Sequence, residues 1–240
     1  MAKRRKQIFE ELREKFKALP KKAENAFIAF VESIIKPRNF NDKLITVEMI
    51  VQQPKLDDWS YINSEGFVNQ LMGGKTFVYC GKWKVEYPYI DEEGVFIENN
   101  IEMEMPDDVP ECIVELYKKT TGIAYLLTCV VDGIEYILKI GMTGKTMSDR
   151  QSSYNCGNIV NRYNGTCSTT NFKIKQSLAS GLTFNVYALD CSADNKSYTD
   201  GKRITPKFSG PLPEAVEYLL NEDFADTFGH KPLLNTQTGK

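Results

Sequence analysis

The sequence predicts a mixed α/β protein of the α+β sandwich kind. Its centre is a small three-stranded antiparallel sheet flanked by helices, with an N-terminal helix pair and extra strands beside it. Three observations predict this. Two apolar runs meet at Asp132-Gly133, a residue pair strongly favoured in hairpin turns. Apolar residues recur at helical spacing before residue 37 and again after residue 212. From residue 119 onward the patterns follow one another as strand, strand, helix, helix, strand, helix.

In order along the chain, residues 3–18 alternate basic, acidic and apolar side chains, with Ile8, Phe9, Leu12 and Phe16 on one face, and Pro20 stops that helix. Residues 21–36 form a second helix with Ala26, Phe27, Phe30, Val31, Ile34 and Ile35 as a broad apolar stripe, ended by Pro37. Between 40 and 105 the runs LITVEMIV, KTFVYCGKWKVEY and GVFIENNIEMEM, split by Gly, Pro and Asp, read as strands and turns. The segment MPDDVPE at 105–111 reads as a boundary, because two prolines and two aspartates leave little to pack. Residues 1–118 and 119–240 are therefore expected to be separate regions. The second region reads as strands 122–131 and 134–141, a helix from about 147, an irregular Asn/Gly/Thr-rich stretch, helix 170–179, strand 182–190, a polar loop, helix 213–225 and a tail. Thr146-Met147-Ser148-Asp149 fits the capping box that starts a helix, and Arg150 follows in its first turns.

Composition excludes several classes. A hydrophobic fraction of 42% and a charged fraction of 26% are those of an ordinary globular protein. No apolar run approaches the roughly 20 residues that span a bilayer. The basic head MAKRRK has no apolar stretch behind it, so a secretory signal is not expected and a cytoplasmic protein is. A formal charge of −2 neither favours nor excludes nucleic acid, since binding depends on where Lys and Arg sit. The six cysteines lack CxxC spacing, so buried free thiols are expected in place of zinc ligands or disulfides. The single histidine, His230, excludes multi-histidine metal sites and leaves hydrolytic chemistry to Tyr, Lys, Arg, Asp and Glu.

The segment Thr121–Tyr154 is the most informative. Gly122-Ile123-Ala124-Tyr125 resembles the GIY half of a GIY-YIG nuclease motif, with one extra residue before the tyrosine. Lys139-Ile140-Gly141 resembles the YIG half, with Lys in place of its tyrosine. Arg150 stands where that family has its helix arginine, PEAVEYLLNEDF resembles the helix that carries its metal-binding glutamate, and KPLLN resembles its closing Pro-x-x-Asn segment, which offers Asn235. The resemblance covers about residues 119–240. It implies a site-specific, type II restriction-like endonuclease that hydrolyses phosphodiester bonds of double-stranded DNA. It implies Tyr125, Lys139, Arg150 and Glu217 as the catalytic set, and Mg²⁺ or Mn²⁺ held by Glu217. Tyr136, Thr143, Tyr154 and Asn235 are expected as supporting or DNA-contacting residues.

The residue types suit that chemistry. A divalent ion on one carboxylate acts as a Lewis acid and escorts the leaving alkoxide. Arg and Lys supply fixed positive charge where the transition state grows negative. A phenol, with an ordinary pKa near 10, serves as base or water-positioner only with cations or a water chain beside it. Lys139 and Arg150 are expected to supply that field to Tyr125. For this Tyr125 and Lys139 must share a sheet face, so a three-residue loop Val131-Asp132-Gly133 that pairs the two residues, or an equivalent bulge, is expected. On the last helix Glu217 lies about 80° from the centre of the apolar stripe and Glu214 about 140°, so Glu217 is preferred for the metal. The basic residues of the first helices and the interleaved KTFVYCGKWKVEYPY fit DNA contact, specificity or dimerisation, and cuts in both strands fit a homodimer. Alternatives are an inactive DNA-binding or scaffold protein of the same fold, or a homing or repair nuclease.

Overall fold

The computed structural model describes residues 44–60, 75–86, 88–90, 96–158, 161–162, 166–191 and 212–235. The helices expected at 3–18 and 21–36 lie outside these residues. In chain order the elements are α1 (Val47–Ile50), a 3-10 turn (Leu56–Asp58), β1 (Val78–Lys84), β2 (Tyr89–Ile90), β3 (Phe96–Ile97), β4 (Glu102–Glu104), α2 (Glu111–Lys118), β5 (Ile123–Val131), β6 (Ile134–Thr143), α3 (Met147–Tyr154), α4 (Thr169–Ala179), β7 (Phe184–Asp190), α5 (Leu212–Phe228) and a second 3-10 turn (Leu233–Asn235). Among the described residues no helix is long and apolar enough to cross a membrane.

The expected three-stranded core is present as β7-β5-β6, and two strands from the first half extend it to a five-stranded sheet of order β4-β1-β7-β5-β6. The pairs β1–β7, β7–β5 and β5–β6 are antiparallel. The chain divides into two compact units that interleave in sequence, one of residues 46–83, 103–151 and 183–240, the other of 1–45, 84–102 and 152–182. The functional division expected at residue 118 is a different one and does not coincide with these boundaries.

Two local readings are corrected. The run LITVEMIV holds a one-turn helix, α1, where a strand was expected. The Thr46 hydroxyl accepts the Met49 N–H at 3.4 Å and caps that turn, and short apolar runs do not distinguish strand from helix by period alone. Behind the prolines of 105–111 lies α2, a helix the sequence did not announce, which buries Tyr117.

In the first unit, Ala124, Leu126, Ile137, Ile140 and Leu189 pack with Val216, Leu220 and Phe224 of α5 and with Trp59. Each fully buried side chain of this size contributes about 2 kcal/mol. The Trp59 ring meets Phe224 edge-on with centroids 5.3 Å apart, and its indole N–H donates to Asp223 at 2.8 Å, tying residues near the N-terminal side to α5. Cys80, Cys129 and Cys191 are buried free thiols, and burial pushes them up to about 12, 11 and 12 respectively, where they act as small apolar groups.

The hairpin register has a particular construction. Val131 pairs with Ile134, so the turn is Asp132-Gly133 alone, with φ of 51° and 78°, the double positive φ that an Asp-Gly I′ turn supplies. The three-residue loop does not form. Pairing runs regularly to Thr128 opposite Ile137, then slips by one residue at Leu138, and resumes with Leu127 opposite Lys139 and Tyr125 opposite Gly141. This bulge resets the alternation of β6 relative to β5.

The outer edge of β6 is covered twice. Near the turn, the Ile137 N–H donates to the Pro54 carbonyl at 2.9 Å and Lys55 bridges Tyr136. Further along, the Asn235 side chain binds both backbone groups of Ile140. At these two places the hydrogen-bonding groups of the edge strand are met within the chain.

In the second unit α4 begins at Ser168, whose hydroxyl accepts the Asn171 N–H at 3.1 Å, and buries every residue from Phe172 to Ala179. The interior includes Lys175, whose ammonium is pushed down by burial while Glu98 opposes the shift.

Candidate active site

The site is built first by strand parity. Alternate residues of a strand share a face, so Tyr125 and Leu127 of β5 stand with Lys139 and Gly141 of β6 on one side. Without the Leu138 bulge the two-residue turn would pair Tyr125 with Ile140 and turn Lys139 away. Tyr125 and Lys139 are thus diagonal neighbours on the same face and not the directly paired residues that the three-residue loop would give. Tyr125 is fully buried and Lys139 nearly so. The Tyr125 ring lies against the backbone of Gly141, so a methyl there would fall 2.5 Å from its hydroxyl oxygen and collide with its Cζ. The glycine of KIG is therefore a steric requirement of the tyrosine.

Helix α3 supplies the next group. Its N-terminus is the expected capping box: the Thr146 hydroxyl accepts the Asp149 N–H at 3.0 Å, and Asp149 Oδ2 accepts from the Thr146 backbone N–H at 3.4 Å and from the Thr146 hydroxyl at 2.8 Å. With that start fixed, Arg150 Nε donates to the Tyr125 hydroxyl at 3.1 Å, and its guanidinium carbon lies 5.9 Å from the centre of the Tyr125 ring. The planar donor set and permanent charge of arginine suit this double engagement.

Helix α5 supplies the carboxylate. Glu217 is half-buried and Glu214 exposed, as the helical-wheel estimate anticipates. Burial holds the Glu217 carboxyl above the usual carboxylate range, Lys139 and then Arg150 pull it back down, and Glu214 adds a smaller upward push. Glu217 therefore stands within electrostatic reach of both cations, and Tyr125, Lys139, Arg150 and Glu217 form one cluster.

Asn235 is not an open contact. Its Oδ1 accepts the Ile140 N–H at 3.0 Å, and its Nδ2 donates to the Ile140 carbonyl at 2.6 Å and to Asn221 Oδ1 at 2.9 Å. Asn221 Nδ2 donates to the Glu217 carbonyl at 2.8 Å. The pair Asn235–Asn221 thus joins the residue between Lys139 and Gly141 to the backbone of Glu217. Asn221 was not singled out from sequence, and its position four residues after Glu217 was the only signal. Of the other nominees, Tyr154 is fully buried and Tyr136 and Thr143 nearly so, which fits supporting roles and leaves little surface for a DNA strand. The Thr143 hydroxyl accepts the Lys145 N–H at 3.1 Å and shapes the turn into α3.

No protein-family model matches the chain, and no curated protein matches it. Among solved structures it is similar to one described as restriction endonuclease HPY188I in complex with product DNA, with a TM-score of 0.46 and 25% identity, over 84% of this chain and 97% of that one.

Chemically, the cluster is two cations, one phenol hydroxyl and one carboxylate. Among the described residues no group of three or more His, Cys, Asp or Glu side chains can enclose a metal ion. Glu217 as a lone protein ligand fits a cation that keeps most of its shell as water and substrate oxygens, the habit of Mg²⁺, and does not fit zinc.

Proposed function

We propose that the chain is a metal-dependent DNA endonuclease of the GIY-YIG type, cutting duplex DNA at fixed sites in the manner of a restriction enzyme. The observation that carries this reading is the meeting of Tyr125 with Lys139 on one sheet face and with Arg150 of α3, while Glu217 of α5 stands within electrostatic reach of both cations. Mg²⁺ or Mn²⁺ held by Glu217 would supply Lewis-acid polarisation of the phosphodiester. Lys139 and Arg150 then stabilise the negative charge that grows on the phosphoryl oxygens, in a setting dry enough to strengthen them. Tyr125 Oη, steered by Arg150 Nε, orients the attacking water or, passing its own proton on along a water chain, takes one from it. Residues 1–118 are assigned to DNA contact, specificity or dimerisation, and the active species to a cytoplasmic homodimer.

The test is incubation of purified protein with mixed plasmid and phage DNA and Mg²⁺, followed by sequencing of the ends. Discrete fragments with fixed ends are expected, and Glu217→Gln and Tyr125→Phe should each lower the rate by about 10³-fold with the fold intact. Patternless nicks would move the reading to a repair nuclease. A second reading, an inactive DNA-binding protein of this fold, is favoured by the complete burial of Tyr125. It predicts DNA binding indifferent to Glu217→Gln and no cutting with any divalent ion.

A further inference from the structure

The orientation of Arg150 depends on more than the capping box at the start of α3. Next to it, Gln151 ends a buried hydrogen-bond chain: Trp83 Nε1 donates to the Tyr117 hydroxyl at 2.8 Å, and Tyr117 donates to Gln151 Oε1 at 2.5 Å. Trp83 and Tyr117 are essentially without exposed surface. The chain has a fixed direction. An indole can only donate, so the Tyr117 oxygen must accept from it, and the one Tyr117 proton is left for Gln151. Burial pushes the Tyr117 phenol up, which keeps that proton in place. Gln151 must therefore present its oxygen and not its amide nitrogen.

The geometry of α3 gives this a consequence for Arg150. At about 100° per residue, Arg150 and Gln151 stand on opposite shoulders of the direction taken by Met147. Met147 is fully buried and marks the inward side. An apolar contact of this kind fixes the depth of a helix better than its rotation, because it has no direction. A hydrogen bond at one shoulder fixes the rotation. A turn of about 10° moves a side-chain tip ~8 Å from the axis by more than 1 Å, enough to break the contact of Arg150 with Tyr125.

We propose that Trp83, Tyr117 and Gln151 are positioning residues that set the rotation of α3 and so deliver Arg150 to the Tyr125 hydroxyl. The contact itself stands apart from any activity, and only its kinetic consequence rests on the nuclease reading. The chain links β1, α2 and α3, so it couples strand β1 from the first half of the sequence to the arginine without touching substrate.

The experiment uses the full chain labelled with ¹⁵N and follows the Arg150 Nε–Hε signal, identified by its loss in Arg150→Lys. In the original protein this proton is expected to exchange slowly. Tyr117→Phe and Gln151→Leu should each speed its exchange by at least about 10-fold, whereas Gln151→Glu, which keeps an acceptor oxygen, should leave it slow. On duplex DNA with Mg²⁺ the first two variants should lower the single-turnover rate by about 10–100-fold while the Kd for DNA moves less than about 2-fold, and Gln151→Glu should restore most of the rate. Slow exchange retained in Gln151→Leu, or equal loss in Gln151→Glu and Gln151→Leu, would overturn the proposal. Should Tyr117→Phe fail to fold, Gln151→Leu decides, since its side chain is only half-buried. If the original protein cuts no DNA, the nuclease reading fails alone and the Arg150 signal still judges the positioning chain.

Discussion

The two ends of the β5–β6 hairpin carry polar clusters of opposite design. Near the turn, Glu135 is one carboxylate met by neutral donors from neighbouring strands: Thr128, Asn185 at 2.7 Å, and Tyr187 at 3.0 Å to both oxygens. Burial, then Glu135, holds the Tyr187 phenol above its ordinary range, so it stays a donor. Past the bulge the arrangement is reversed: Arg150 donates to the Tyr125 hydroxyl, Lys139 stands on the same sheet face, and one carboxylate, Glu217, lies within electrostatic reach of both cations. The clusters also occupy opposite faces, because Thr128 and Glu135 stand with Leu126 and Tyr125 stands with Lys139. The first cluster answers its own charge with directed hydrogen bonds. The second holds more positive than negative charge, the sign that suits a phosphate. Buried polar groups thus serve stability at one end and, on our reading, catalysis at the other.

Substitutions can break or sharpen this contrast. The largest effect on stability is expected for Glu135→Ala, which strands three donors; a loss of about 3 kcal/mol in urea unfolding is expected, with DNA cleavage per folded molecule nearly unchanged. An equal loss of cleavage would erase the distinction between the two ends. Gly141→Ala should destabilise by about 2 kcal/mol and reduce cleavage by about 10²-fold, because the new methyl displaces Tyr125 from Arg150. Asn235→Ala, which opens the clasp on Ile140, should lower stability by about 1–2 kcal/mol and weaken Mg²⁺ binding seen by calorimetry, since Glu217 loses its tie to β6.

The smallest effect has a distinctive pH dependence. The Glu217 carboxyl sits above its unfolded value of 4.5, chiefly from burial. Its contribution to stability is therefore full below that value and is lost as the pH rises through the raised folded value. Glu217→Gln removes this loss, so without metal it should raise Tm at pH 7 by on the order of 2 °C, and the difference should vanish below about pH 4. A lower Tm for the variant at pH 7 would mean that attraction to Lys139 and Arg150 outweighs burial. The stabilising direction is what a carboxylate retained for function, against the interest of the fold, would give.

What the sequence made legible follows from the range of the interactions. The capping box of α3 and the hairpin turn both involve residues within four positions of one another. The capping box is as expected, and the hairpin turns at Asp132-Gly133 as the residue pair suggests, though with two loop residues and not the three that were expected. The face shared by Tyr125 and Lys139 was deducible as a parity requirement, but the slip at Leu138 was not, because nothing in a local apolar run marks which residue bulges. The contacts Asn235–Ile140 and Trp83–Tyr117 join residues far apart in the chain, and each member alone reads as an ordinary cap or core residue. The pairing of β1 with β7 was hidden for the same reason, since strand patterns identify strands and not their partners.

The bulge at Leu138 also separates the turn from the chemistry that lies beyond it. The face of Lys139 is set by the closing pair Val131–Ile134 and the one-residue slip, so residues added inside the turn leave the ammonium facing Tyr125 while that pair still closes the loop, whereas one residue added within β6 between the turn and Lys139 sends it to the opposite side unless another slip restores the count. Turns grafted into this protein can vary in length without losing the lysine if they keep the Val131–Ile134 pair.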